Sequence, residues 1–425
     1  MDKEDICFAP AIDLAKAISK RELSPVEVAH AVIERIEALD PKLNAFAAFT
    51  PELALEAAKQ AEVAVMAGGA LGRIHGGPMT IKDLADVAGV PTERGSHTHA
   101  GVIPPADSPF VERLKSEGGI FLGKTTTSEY GWKGVSQSPR TGITSNPWRL
   151  GYNAGASSAG AGAGAAAGYG PLHQGSDGAG SIRMPAHFSG VFGIKPTFGR
   201  VPNVPVRNND QVSHSGPMTR TVADSALMLE IMSGPHPLDH YSLEAPPDQY
   251  LAKLNDGIAG LRVAYSPDLG HARVDPEVAD VVHSAVDVFE DLGVSVEEVK
   301  TPFGPKGPEI VRFFWAAHEL ELAQFLDEYR DRMDPGLVAC IESASVATAL
   351  DYLNMRAEKH AYIEEIHQFF EQWDLLLTPA ASVAAFPADQ LMPDHWPSHP
   401  WDWLSWAEFS YPFNFSLNPA ASVPA

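Results

Sequence analysis

Residues Gly175 to Pro185 read GSDGAGSIRMP. Gly178, Ala179 and Gly180 stand directly before Ser181, and two charged residues, Asp177 and Arg183, flank them. Side chains are cut to almost nothing on the approach to one serine. Such a stretch is either a flexible linker or a place where backbone must come close to another group. That choice decides how the rest of the chain is read.

The small-residue belt runs from Gly151 to Arg200. It leads into FSGVFGIKPT, Phe188 to Thr197, whose apolar residues suit a buried segment, and it holds no acidic run or proline-rich spacer. A linker is therefore disfavoured. Gly160, Gly162 and Gly164 superficially match a dinucleotide fingerprint, but NPWRLGYNAGASS before them does not look like the strand such a turn must follow. No Gly-Lys-Ser/Thr follows, which excludes a phosphate P-loop. Gly155-Ala156-Ser157-Ser158-Ala159 misses the nucleophile elbow by ending in alanine. His173, His187 and His214 lie nearby, but a lone loop histidine more often bonds in the core or sits at the surface than acts as a base. HELEL at His318 lacks the second histidine of a zinc helix.

A fourth reading needs three groups, and the chain supplies them. TIKD puts Lys82 at the end of a short apolar strand, GASSAG supplies Ser157 and Ser158, and GAGSIR supplies Ser181. These segments resemble the amidase signature family of Ser–cis-Ser–Lys hydrolases. Its pattern is a lysine after an apolar strand, a Gly-Gly-Ser-Ser-Gly-Gly run, then Thr-Asp-Thr-Gly-Gly-Ser-Ile-Arg. The intervals are also similar: 75 positions from Lys82 to Ser157 and 24 from Ser157 to Ser181. GKTTTSEYGW, GITSNPW, GPMTRTVADSALML and LLLTPA extend the likeness over most of the chain.

The resemblance implies an α/β fold, one large domain with a mixed central β-sheet covered by helices on both sides. Residues 1–425 would form this single amidase domain: an N-terminal helical segment (1–70), a catalytic signature core (71–230) and a variable substrate-pocket region (231–425). It also implies Ser181 as nucleophile, Ser157 as proton relay after a cis peptide bond, and Lys82 as the ultimate base and later acid. Backbone N–H groups of Gly178, Ala179, Gly180 and Ser181 would form the oxyanion hole, with Ser158, Asp177 and Arg183 in support.

Elementary chemistry agrees with these roles. Amide hydrolysis needs a nucleophile, a shuttle that can protonate a poor leaving amine, and donors for the tetrahedral oxyanion. A serine hydroxyl needs an adjacent base, and lysine serves as one only when burial keeps it neutral. The plain alternative for Lys82 is a surface lysine paired with Asp83.

Composition bounds the rest. A net charge of −23 repels polyanions and argues against direct nucleic-acid binding. Two cysteines, Cys7 and Cys340, are too few for a disulfide framework. MDKEDICFAP lacks the build of a secretion signal, and no apolar run approaches the ~20 residues of a membrane span. A cytoplasmic protein with no membrane partner, no metal and no organic cofactor is expected. The expected partners are a small-molecule amide substrate and a second copy of the chain in a homodimer.

Local patterns place the elements. Ser24, Pro25 and Glu27 form a capping box ahead of a helix with Val28, Val32, Ile33, Ile36 and Leu39 on one face. Strands are expected at Asn44–Phe49, Pro78–Lys82, Ile120–Gly123 and in GLRVAYS and VSVEEVK, with helices in TPELALEAAKQAEVAVMAGG, DSPFVERLKSEGG and PEVADVVHSAVDVFEDLG. Longer helices are expected near Pro308–Tyr329 and Ser343–Phe370, a buried strand in WDLLLTPA, and a long surface loop from Ala385 to Trp406.

Departures from the family pattern set further expectations. Ala156, Ala159 and Ala179 replace glycines, and alanine disfavours positive φ, so a slightly altered oxyanion geometry is expected. FNFSLNPAASVPA resembles a segment that normally leads into another strand and helix, so a C-terminally shortened form is expected. The leading function is hydrolysis of a small, uncharged or weakly charged carboxamide, with esterase side activity. The alternatives are a glutaminase-like component of a tRNA-dependent amidotransferase, against which Met184 stands where such proteins usually carry Gln, and a non-catalytic relative.

Overall fold

The computed structural model describes residues 1–245 and 249–425. The N-terminal segment folds as its caps dictate. Ser24 and Glu27 close the capping box of helix Pro25–Leu43, which buries Val28, Val32, Ile33 and Ile36. Helix Pro51–Ala67 stops at Gly68, whose φ of 72° is the left-handed cap.

The core is a seven-stranded sheet built from β1 (Phe46–Phe49), β2 (Pro78–Lys82), β3 (Ile120–Thr125), β4 (Leu172–Asp177), β5 (Phe192–Lys195), β6 (His214–Thr219) and, after a separate small sheet, β10 (Ala420–Ser422). Their spatial order is β1-β3-β2-β4-β6-β5-β10. β2 runs parallel to both β3 and β4; helix Pro109–Ser116 makes the β2-to-β3 crossover. The other pairings, including β10 on β5, are antiparallel.

The sheet is therefore mixed, and helices cover both faces. On one face Ile120 and Leu122 pack with helix Pro25–Leu43 and with Ala163 of helix Ala159–Ala167. On the other, Phe121, Met79 and Ile81 pack with Phe110, Leu114, Leu227 and Met228. A strand covered on both sides reads as a continuous buried run, and all five residues of β2 are buried. Lys82 shares its face with Thr80, opposite Ile81, because side chains alternate along a strand.

Beyond residue 255 a satellite sheet of three parallel strands forms from β7 (Val263–Tyr265), β8 (Val296–Glu298) and β9 (Leu375–Leu377), with β7 in the middle. Three expectations are corrected here. WDLLLTPA does contain a strand, but Leu375 is exposed because β9 is the edge of this small sheet. The helix expected to Tyr329 ends at Glu319 and tightens into 3₁₀ turns over Leu320–Phe325. The later helix runs Ala349–Gln372, because Thr348 and Asp351 form a capping box that starts it, while Ser343 belongs to the preceding helix Pro335–Ala344.

The stretch from Ala385 to Trp406 is not a surface loop. Trp396, Trp403 and Trp406 are buried in the largest apolar cluster. Irregular chain survives there because each indole N–H finds an acceptor. Trp403 Nε1 donates to the Trp132 carbonyl at 2.7 Å, Trp406 Nε1 to Leu391 O at 3.1 Å, and Trp315 Nε1 also to Trp132 O at 2.9 Å.

Candidate active site

Lys82 ends β2 with no exposed surface. Its Nζ lies 2.7 Å from Ser157 Oγ, 3.0 Å from Ser176 Oγ and 3.4 Å from the Ser176 carbonyl. Asp83 is not its partner: Asp83 turns to the other face and pairs with buried Lys124 at 3.4 Å. Burial first, then the positive charge of Arg207, push the Lys82 pKa well below the usual lysine value, and Asp177 opposes them only in part. A fully buried amine without a contacting carboxylate is held toward its neutral form.

Ser157 follows a cis peptide bond, Ala156–Ser157. The neighbouring Gly131 has φ +83°, and a Cβ there would stand 2.9 Å from Ser157 Oγ. Ser158 precedes helix Ala159–Ala167 and ties two segments together. Its Oγ donates to Ser176 O at 3.1 Å and accepts from Ser176 N–H at 3.2 Å, while its own N–H donates to Ser181 O at 3.2 Å.

Ser181 lies between Gly180 and the helix Arg183–Ser189. Ser157 and Ser181 line one cavity of ≈ 290 Å³ with Lys82, Ser176 and Gly178. A larger, more open depression of ≈ 560 Å³ near Lys133 and Asp334 touches none of the three candidate catalytic residues. Among the described residues no hydrogen bond joins Ser157 Oγ to Ser181 Oγ, and Ser181 Oγ has no other partner.

The loop before Ser181 is fixed by Asp177. Its carboxylate accepts from Gly180 N–H at 2.7 Å, Ile182 N–H at 3.2 Å, Arg183 Nε at 2.9 Å and Arg183 Nη2 at 2.8 Å. Gly180 thus departs from its expected part, because its N–H is already engaged. The N–H groups of Gly178, Ala179 and Ser181 have no partner among the described residues. Ala156, Ala159 and Ala179 all avoid positive φ, which falls on Gly155 and Gly180 instead. The methyl groups therefore sit where alanine is at ease, and the expected distortion has no backbone cause.

The match to the sequence profile of the Amidase family spans residues 27–425. The chain belongs to the amidase signature family. An acylamidase of Rhodococcus erythropolis is 38% identical over 440 aligned residues, which cover 100% of this chain and 90% of the relative. The A-type component of the glutamyl-tRNA(Gln) amidotransferase of Acidothermus cellulolyticus is 32% identical over 452, covering 99% and 88%. The solved structure of a bacterial aryl acylamidase of the amidase signature family superposes with a TM-score of 0.90 at 27% identity, covering 98% of this chain and 89% of that one.

Two further residues, Ser176 and Asn414, stand in contact with the candidate site. Ser176 was in plain view inside GSDGAGS, and its place on β4 beside β2 is the signal that puts it against Lys82. Asn414 gave no local signal. It comes from helix Tyr411–Phe415 and donates to Asp177 Oδ1 at 2.9 Å and to Val212 O at 3.1 Å, and accepts from Arg183 Nη2 at 2.6 Å. No group of three or more His, Cys, Asp or Glu among the described residues is placed to hold a metal ion, and no single helix there is long and apolar enough to cross a membrane.

Proposed function

We propose that this chain hydrolyses the C–N bond of a small-molecule carboxamide through an acyl-enzyme on Ser181. The observation that carries the reading is the 2.7 Å contact between the buried Lys82 amine and Ser157 Oγ, in the cavity that also holds Ser181. A neutral amine has two N–H groups and one lone pair. The two Ser176 oxygens, at 3.0 and 3.4 Å, accept the N–H groups, and the lone pair then faces the Ser157 hydroxyl.

In this mechanism Ser157 passes its proton to Lys82 as it takes the proton of Ser181. The Ser181 oxygen bonds to the amide carbonyl carbon, and the oxyanion forms against the free N–H groups of Gly178, Ala179 and Ser181. Each such donor is worth roughly 10²–10³ in rate. Lys82 returns its proton through Ser157 to the departing amine as the C–N bond breaks. Water, deprotonated by the same relay, then cleaves the acyl ester to a carboxylic acid and frees Ser181. An ester substrate needs less help at its leaving group, which gives esterase side activity. Cys7 and Cys340 are free and buried, and the reading keeps the protein in a reducing cytoplasm.

The test is a panel of aliphatic and aryl amides with a fluorophosphonate probe. Wild type hydrolyses at least one amide and is labelled at Ser181; Ser181→Ala does neither. Full turnover by Ser181→Ala sinks the serine mechanism, and complete inertness of the wild type to probe and substrates favours a non-catalytic relative. Glutamine-dependent ammonia release with co-purifying partner chains would instead bring the chain to the amidotransferase components it is similar to.

A further inference from the structure

The cavity that holds Lys82, Ser157 and Ser181 is also lined by Arg94 and Arg207, from two different loops. Arg94 lies beyond β2 and Arg207 between β5 and β6. Among the described residues no carboxylate is within ion-pair distance of either guanidinium. Arg94 Nε is buried without a hydrogen-bond partner. Arg207 gives one N–H to Leu84 O at 3.0 Å, and the rest of its donor fork has no partner.

Two cations facing one cavity repel each other. Crowding by the surrounding chain, followed by the charge of Arg94, pushes the Arg207 pKa down, although the side chain itself reaches solvent. Asp86 and Glu321 line the same cavity and push it back up, but neither touches it; His318 is engaged with Asp210, outside the cavity wall. The buried Arg94 Nε, left unpartnered, is costly and calls for an acceptor, and the exposed Arg207 fork opens onto the same cavity. The acceptor that suits a planar fork is a carboxylate, which takes two parallel N–H bonds.

We infer that the amide substrate carries a carboxylate, which Arg94 and Arg207 bind while Ser181 faces the scissile carbonyl. The inference rests on reading this cavity as the amide site. It departs from the uncharged or weakly charged substrate that the sequence led one to expect.

Two matched pairs vary the charge, with nitro nearly isosteric with carboxylate in the first and methyl in place of carboxylate in the second, and each variant is compared with wild type so that intrinsic leaving-group differences cancel. 4-Acetamidobenzoate against 4-nitroacetanilide places the carboxylate on the amine side. N-Phenylsuccinamic acid against butyranilide places it on the acyl side. The quantity measured is the charged-to-neutral ratio of kcat/KM within one enzyme preparation, so losses of folded protein cancel. Wild type should favour the charged member of at least one pair by about 10-fold or more. Arg94→Gln and Arg207→Gln should each lower that ratio about 10- to 100-fold, the range of a charge-assisted hydrogen bond, and Arg94→Lys should recover part of it. Binding of the same compounds to Ser181→Ala, followed by calorimetry, reads the contact without the chemistry. A ratio at or below one for both pairs, or a ratio unmoved by both glutamine variants, overturns the inference. Persistent hydrolysis by Ser181→Ala would instead overturn the serine mechanism and leave the ratio to judge the arginines.

Discussion

Arg183 grips Asp177 with two nearly parallel hydrogen bonds, Nε to Oδ2 at 2.9 Å and Nη2 to Oδ1 at 2.8 Å, and both residues are buried. The pair shapes the turn on which Ser181 sits, because the same carboxylate holds the N–H groups of Gly180 and Ile182. Burial pushes the Asp177 carboxyl up, but Arg183, Asn414 and Lys195 outweigh it and hold it far below the usual carboxylate range.

Breaking that grip should therefore cost both stability and rate. Arg183→Ala leaves a buried carboxylate without its cation, a change worth about 3–5 kcal/mol. Since the folded pKa lies below the unfolded one, the contribution is complete above about pH 4 and fades only in stronger acid. Denaturant unfolding should show a deficit no smaller at pH 8 than at pH 5, because burial pushes Asp177 up once Arg183 no longer opposes it. No deficit at pH 8 would contradict the assignment.

Lys82→Met should abolish activity yet stabilise the fold. In wild type the amine is protonated when unfolded and held toward neutrality when folded, so the unfolded chain binds more protons. Wild-type stability then rises with pH between the lowered folded value and ~10.4, at about 1.4 kcal/mol per unit. The advantage of Lys82→Met should shrink as unfolding is followed upward in pH between those two values. Turnover should fall roughly 10³-fold or more, as for loss of a general base. In wild type kcat/KM should rise from the acid side as Lys82 loses its proton.

Gly131→Ala tests the relay without touching a catalytic atom. Its Cβ would sit 2.9 Å from Ser157 Oγ at a φ of +83°. Displacement of the hydroxyl by a fraction of an ångström should lower kcat by about 10- to 100-fold, with about 1 kcal/mol lost from the fold. Unchanged kcat would show that Ser157 tolerates a shift, which a relay bridging two partners does not.

Glu319 should give the pH profile its alkaline limb. Its carboxyl lines the same cavity and is pushed up to about 8 by burial and by Glu321 and Glu129. Below that pH it is neutral; above it, a negative charge enters a cavity that binds a carboxylate. For the carboxylated amide kcat/KM should fall above about pH 8, and Glu319→Gln should flatten that limb. Initial rates from pH 6 to pH 10 decide it.

What could be read ahead of the structure follows from range. Ser24, Pro25 and Glu27 cap their helix through contacts three residues apart, so the pattern states the outcome. β2 was legible to the residue from PMTIK, short and bounded by Gly77 before it and Asp83 after it, although it buries Thr80 and Lys82 as well as apolar residues. Lys82, Ser157 and Ser181 were singled out by the resemblance of their spaced motifs to the family pattern, since each motif alone is weak. Asn414 and Arg94 were not, since each matters only through partners brought beside it by the whole topology. Trp403 and Trp406 misled for a related reason. Proline, histidine and tryptophan in sequence look like a loop, and only the carbonyls of Trp132 and Leu391, supplied from elsewhere, make burial affordable.

Ser410 and Asn414, which complete the hold on Arg183 and Asp177, lie more than two hundred residues after them. During synthesis the segment bearing Ser181 leaves the ribosome long before these fasteners exist. A nascent polypeptide halted before residue 410 carries every reactive side chain but lacks the clasp that sets the turn. The turn bearing Ser181 thus takes its last hydrogen bonds only when the far end of the chain has been made.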